Sequence, residues 1–168
     1  MTELTQERLK YLLDYEPETG IFRWRVSAPS RPKPGKRAGC LKETECGTYR
    51  VIRVDDRLYR SARLAWFYVH GRWPVGDTDH RDTDKLNDAI GNLREATRSQ
   101  NNINGPAHAH SELGIRGVGI DKERGKYRAQ IMKNGKNHML GRFDTLEEAR
   151  AARNRAVVDM YGEFARLS

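Results

Sequence analysis

The sequence predicts an α+β protein in two parts, and three observations predict it. Hydrophobic residues make up 37 % of the 168 residues, which suits two small cores better than one large one. Runs that alternate apolar and polar residues, as half-buried strands do, are interspersed with segments of helical period. A stretch from Asp77 to Asn104 is almost free of apolar residues and leads into the small, polar run GPAHAHSELG. The expected division is a first domain at 1–104, a linker at 105–113 and a second domain at 114–168.

In the first part, LTQERLKYLLDY places Leu9, Leu12 and Leu13 on one helical face behind Thr5, a good N-cap residue. EPETG is a turn, and IFRWRV alternates like a strand. SAPSRPKPGKR has no periodicity and reads as a solvated connector or a flexible phosphate contact. TYRVIRVDDRLYR is a hairpin turning at Asp55-Asp56. A helix follows, with the cluster Leu64, Ala65, Trp66, Tyr68 and Val69, and GRWP ends it.

In the second part, short strands are separated by DKERGK and KNGK. Asn134-Gly135 is a strong hairpin signal. Thr145 and Glu148 form a capping box ahead of Ala149, Ala152, Ala156, Val157 and Met160 at helical spacing. The expected architecture is a small three-stranded antiparallel sheet packed on one helix. Tyr127, Ala129 and Ile131 face the helix, and Arg128 and Gln130 face away.

The formal net charge is +8. Such a balance favours a polyanionic partner, nucleic acid before an anionic membrane, against the plainer reading of charge for solubility. The region 115–168 holds 12 of the 31 basic residues and only 7 of the 23 acidic ones, so the footprint is denser there. Two cysteines, Cys40 and Cys46, are too few for a disulfide scaffold and lack zinc-site spacing. MTELTQERLK is no signal peptide, and no apolar run approaches the ~20 residues that span a bilayer. A cytoplasmic protein is expected.

The polar stretch carries the chemistry. Phosphodiester hydrolysis with one metal ion needs a hard oxygen ligand set, a general base for water, and a group that fixes the base. His80 is the candidate base, since an imidazole ordinarily titrates near neutrality. Its neighbour Asp79 points to the opposite face if the pair ends a strand, leaving it to serve a metal. Asn92 suits orienting the imidazole or tying the loop. Thr97 caps a short helix that carries Asn101 and Asn102, either of which offers an amide oxygen to the ion. Singly, each residue has an ordinary reading as a solvated histidine or a turn asparagine. Of the remaining histidines, His70 ends a helix, where positive charge is favourable. His108 and His110 fall in the linker, and His138 falls in a strand.

The order in DHRDTDKLNDAIGNLREATRSQNN resembles the HNH endonucleases, also called His-Me finger or ββα-metal nucleases, in their phage and intron-associated branch. LLDYEPETGIFRWR and RLAWFYVHGRWP also look like segments preceding the finger in that family. The resemblance covers about 4–104, with the finger at about 77–104. It implies a ββα-metal fold and a DNA endonuclease of phage or homing type using one Mg²⁺ (or Mn²⁺) per active site. It implies His80 as general base, Asp79 and Asn101 as metal ligands, Asn102 as the alternative to Asn101, and Asn92 as the loop-fixing asparagine. The family usually reads His-Arg-Leu-Ala-Trp where this chain has Ala62-Arg63-Leu64-Ala65-Trp66.

The segments Arg116–Val118, GKYRAQI, LGRFDTLEEA and YGEFA resemble the plant Apetala-two/ethylene-response-factor DNA-binding domain over 114–165. In that family the sheet enters the major groove of double-stranded DNA. The resemblance implies Arg116, Arg128, Gln130, Lys133, Lys136 and Arg142 as candidate DNA contacts. Arginine reads guanine edges or phosphates, and glutamine reads adenine. Tyr127 stands where the plant segment has tryptophan. The expectation is a metal-dependent DNA endonuclease with no membrane partner and no small-molecule cofactor. Its rivals are a non-catalytic, sequence-specific DNA-binding protein with a degenerate nuclease half and, more remotely, an RNA-directed nuclease.

Overall fold

The computed structural model describes residues 3–27, 33–45, 47–103 and 112–165. Cys46, His108 and His110 lie outside them. The chain is a mixed α/β protein of small sheets and helices, divided into compact units at 1–95 and 96–168.

The first unit starts with helix α1 (Gln6–Leu12), whose N-cap Thr5 accepts from the Arg8 N–H as expected. The chain passes directly into β1 (Leu13–Glu16), which pairs antiparallel with β2 (Ile21–Trp24). Strands β3 (Cys40–Thr44), β4 (Gly47–Val54) and β5 (Arg57–Arg60) form an antiparallel sheet in the order β3-β4-β5. The β4–β5 turn puts Asp55 and Asp56 at φ 43° and 63°, as a two-residue hairpin loop of right-handed twist requires. Strand β3 has no counterpart in the sequence expectations. All its residues are exposed, so no apolar alternation marks it, and its backbone pairing with β4 alone defines it. Helix α2 (Ser61–His70) ends on Gly71 in the left-handed conformation.

The core joins Leu9, Leu12, Leu13, Phe22, Trp24, Ile52, Val54, Leu64, Ala65 and Phe67. Ala62 is 5 % exposed within it. Trp73 of the GRWP segment stacks on Phe67 at 4.2 Å between ring centroids. Strand β6 (Asp77–His80) and β7 (Leu93–Ala96) form a two-stranded sheet, joined by the polar loop and a 3-10 turn at Ile90–Asn92.

The second unit contains helix α3 (Arg98–Ile103), strands β8 (Val118–Asp121), β9 (Lys126–Lys133) and β10 (Lys136–Phe143), and helix α4 (Leu146–Tyr161). The antiparallel sheet has the order β10-β9-β8. Asn134 and Gly135 turn the β9–β10 hairpin at φ 50° and 76°, and the Thr145–Glu148 capping box forms in full. Ala129 and Ile131 are buried against α4, and Tyr127 is half-buried. The buried stripe of α4 is Ala149, Arg153, Val157 and Tyr161. Of the expected set only Ala149 and Val157 lie in it; Ala152, Ala156 and Met160 are half-buried beside it, and Arg153 and Tyr161 take their places, because a strict four-residue repeat, and not the alanine pattern, faces the sheet. Ile103 packs with Ile131, Val157 and Tyr161, so α3 belongs to this unit.

Candidate active site

The polar stretch forms a core of its own from charged side chains. Asp79, His80, Asp88 and Arg94 are each no more than 7 % exposed. Buried charges persist only when paired and hydrogen-bonded, and each has its partner. Asp79 and His80, successive on β6, engage different partners, as alternating strand side chains do. The Asp79 Oδ2 accepts from Arg94 Nε at 2.9 Å and lies 2.8 Å from Arg94 Nη2. The His80 Nε2 lies 3.0 Å from Asp88 Oδ1.

The residue against the imidazole is thus a carboxylate. Of the two jobs open to Asn92, its side-chain hydrogen bonds go to the loop. Its Oδ1 accepts from the Asp82 N–H at 3.0 Å, and its Nδ2 donates to Asp82 Oδ1 at 2.9 Å and to the Asn87 carbonyl at 2.8 Å. Burial pushes the Asp82 carboxyl up, but hydrogen bonds from Asn87, Asn92 and the Asp84 N–H outweigh it and hold the group below its usual range. The loop between β6 and β7 is therefore closed on itself by short polar side chains, which explains its composition.

Asp88 and Arg94 are the residues that sequence reasoning missed, and Asp88 is held from the N-terminal hairpin. The Tyr15 hydroxyl donates to the Asp88 carbonyl at 2.7 Å, and the Ile90 N–H donates to the Pro17 carbonyl at 3.0 Å. Gly20, at φ +72°, lies so close that a Cβ would stand 2.2 Å from the Asp88 carbonyl carbon. Burial and the Asp88 charge together push the Tyr15 hydroxyl pKa up, so it remains a donor. The EPETG turn is thus a clamp on 88–90. The only sequence signal was a carboxylate eight residues after the histidine, inside a loop tied at both ends.

The entry to β6 is anchored too. Arg72 makes a two-nitrogen fork to Glu95 at 2.8 Å on each oxygen, and the Val75 N–H donates to Glu95 Oε1. The Arg72 fork, then that N–H, hold the Glu95 carboxyl down at about 2.

The hard-oxygen donors suit a divalent cation with a thin protein shell. Asp79 presents a pre-positioned carboxylate. Among the described residues, no group of three or more His, Cys, Asp and Glu side chains is arranged to hold a metal. Mg²⁺ characteristically uses one or two protein oxygens and completes its shell with water and substrate phosphate, so this donor chemistry fits it and does not fit a closed zinc site. Asn101 lies on α3, in the second unit, with its N–H donating to the Thr97 carbonyl at 2.9 Å. Asn102 lies on the same helix and is exposed.

In the second unit, Arg128 and Arg142 are cross-strand partners on the sheet face away from α4. Arg142 Nε donates to Asp121 Oδ2 at 2.7 Å. Gln130 shares that face and accepts from Asn137 Nδ2. Lys133 and Lys136 flank the hairpin turn. Lys133 Nζ donates to the Met160 carbonyl at 3.2 Å, and Lys136 is exposed. Arg116 is half-buried before β8, and burial pushes its pKa down.

A family model described as HNH endonuclease matches residues 60–103, spanning this site. The chain is 34 % identical over 103 residues to Protein 3.8 of Escherichia phage T7, covering 61 % of this chain and 84 % of that protein. It is 34 % identical over 87 residues to an Acanthamoeba polyphaga mimivirus protein named "Uncharacterized HNH endonuclease L560". That alignment covers 52 % of this chain and 44 % of the mimivirus protein, so the chain spans less than half of that relative's length. No solved structure matches the chain.

Proposed function

We propose, from the match of residues 60–103 to the HNH endonuclease family, that this chain is a divalent-metal-dependent endonuclease cutting phosphodiester bonds of double-stranded DNA. The observation that carries the reading is the pair of adjacent, buried and separately fixed side chains: Asp79 on Arg94 and His80 on Asp88.

With the ring proton assigned to Nε2 and donated to Asp88, Nδ1 is the basic nitrogen of the neutral imidazole. His80 takes a proton from water there, the water oxygen bonds to phosphorus, and the bond to the 3′ oxygen breaks. The leaving oxygen takes its proton from solvent. Asp88 holds the ring, and Asn92 holds the loop that carries Asp88. Asp79 and Asn101 keep the metal-ligand roles that the family resemblance implies. When bound, Mg²⁺ or Mn²⁺ would supply Lewis-acid chemistry there, polarisation of the phosphate and relief of charge on the leaving oxygen. The sheet of the second unit, packed on one helix with Arg128, Gln130 and Arg142 on its other face, supports a DNA-targeting role of the Apetala-two kind.

Supercoiled plasmid incubated with Mg²⁺, and separately with EDTA, tests the activity. Metal-dependent nicking or linearisation is expected, and His80→Ala is expected to abolish it while duplex binding stays nearly intact. Equal loss of cleavage and binding in that variant would refute the role of His80. Ala62, standing where the family usually has histidine, favours a second reading, a DNA-binding protein without cleavage. Absence of metal-dependent nicking by the unaltered chain, with binding retained, selects it.

A further inference from the structure

The face of the second unit's sheet that turns away from α4 divides into a paired end and an unpaired end. Lys126, Arg128, Gln130 and Met132 alternate along β9 on that face. The register sets Met139 across from Gln130 and Asn137 across from Met132. Two of the cations are engaged: Lys126 Nζ lies 3.0 Å from Asp144 Oδ1, and Arg142 Nε donates to Asp121 Oδ2 at 2.7 Å. Arg128, their neighbour on the face, is exposed and has no carboxylate partner among the described residues. Its guanidinium lies over the bare backbone of Gly119 on β8, where a Cβ would stand 3.2 Å from Arg128 Nε.

Nearer the hairpin turn, four side chains form a block with amides on one diagonal and methionines on the other. Asn137 Nδ2 donates to Gln130 Oε1 at 3.0 Å, over a cross-strand diagonal that long side chains span. Neither side chain makes another hydrogen bond among the described residues. The bond fixes the polarity of the Gln130 amide and leaves its Nε2 protons and the second lone pair of Oε1 for another molecule. Met132 and Met139 are 60 % and 53 % exposed, and a thioether side chain adapts readily to an apolar contact. In the major groove an adenine·thymine pair displays an acceptor, N7, and a donor, N6, beside the thymine methyl. A primary amide matches the first two, and an adjacent methionine matches the third. Guanine displays two acceptors at that edge, so Gln130 Oε1 would there face an oxygen with no proton between them.

We propose that this block reads one adenine·thymine base pair. Gln130 bonds the adenine edge, Met139 covers the thymine methyl, and Asn137 is a positioning residue that holds the Gln130 amide. Arg128 supplies the unpaired positive charge that complements the DNA. The inference rests on the DNA-targeting role proposed above for the second unit, and it adds which base pair that unit selects.

The test uses the full chain in EDTA and a library of duplexes with about 20 randomised base pairs, enriched by gel shift and sequenced. A fixed A·T pair is expected in the enriched duplexes. Replacing its adenine by 7-deazaadenine, which lacks the N7 acceptor, should weaken binding of the parent chain on the order of 10-fold. Gln130→Met keeps the length of the side chain and removes its amide, and it should bind both duplexes alike. Asn137→Ala should lose about 3-fold or more of the preference while its affinity for unselected duplex stays within about 2-fold, a split that a merely structural role would not produce. Uracil in place of the thymine should weaken the parent chain about 3-fold, and not Met139→Ala. Equal losses on 7-deazaadenine in the parent and in Gln130→Met overturn the assignment of Gln130, and a fixed G·C pair that depends on Gln130 overturns the adenine reading. Enrichment of no fixed pair overturns base recognition by this face. Plasmid nicking is scored separately. Nicking without a Gln130-dependent pair removes this inference and leaves the nuclease reading, whereas a Gln130-dependent A·T pair without nicking does the reverse.

Discussion

Truncation of Asp88 to alanine probes the site where its geometry is most constrained. The Asp88 and His80 side chains are 4 % and 7 % exposed, and their polar atoms meet at 3.0 Å. Asp88→Ala removes the acceptor and leaves a buried ring N–H without a partner, which costs about 1–3 kcal/mol. The void left by the carboxylate adds to this, so a total of roughly 2–4 kcal/mol is expected. Asp88→Asn keeps an acceptor oxygen at the same place and should lose about 1 kcal/mol or less. All three tryptophans, Trp24, Trp66 and Trp73, lie in the unit 1–95. Urea unfolding followed by tryptophan fluorescence therefore reports the unit that holds the pair, free of the complication of a second cooperative unit. Loosening of the imidazole should also lower plasmid nicking about 10²-fold in Asp88→Ala, with duplex binding unchanged. If Asp88→Ala unfolds within ~0.5 kcal/mol of the parent chain, where surface changes usually fall, the pair is incidental and the argument that Asp88 fixes His80 fails.

The clamp and the loop give further expectations. Gly20→Ala should destabilise the first unit by about 2–4 kcal/mol, since the added Cβ meets backbone at 2.2 Å in a left-handed conformation; a fluorescence unfolding curve matching the parent would dismiss the clamp. Asn92→Ala removes three hydrogen bonds, two of them in exposed surroundings where water substitutes. A loss of about 1–3 kcal/mol with a marked fall in nicking is expected, and full nicking would show that the loop needs no such tie. Glu95, held down at about 2 by Arg72, contributes stability above its unfolded pKa that is lost as pH falls from about 4.3 towards 2. Glu95→Gln should therefore lower the melting temperature near neutrality and converge on the parent chain as pH falls through that window; a constant offset down to pH 2 would contradict the assignment.

Much of the fold was legible because its signals are local. Thr5 and the Thr145–Glu148 box cap helices with their own side chains, and Asp55-Asp56 and Asn134-Gly135 turn hairpins through their own tolerance of positive φ. Strand β3 was not legible, since its exposed residues carry no pattern and its identity comes from β4. Nor was Arg153, whose burial depends on which stripe of α4 meets the sheet. The site divides in the same way. His80, Asp79 and Asn92 stand out by residue type and order, whereas the partners that fix them, Arg94 and Asp88, are ordinary charged residues until the chain folds.

The order of residue types by itself determined where the chemistry lies, the period of each element, and the tight turns between them, because each depends on neighbours within a few positions. The tertiary structure alone decided which carboxylate holds the imidazole, that a glycine in a distant hairpin locks it there, and that an arginine lies under the second sheet. Those outcomes depend on burial and on distances between segments far apart in the chain, and linear text does not carry such distances.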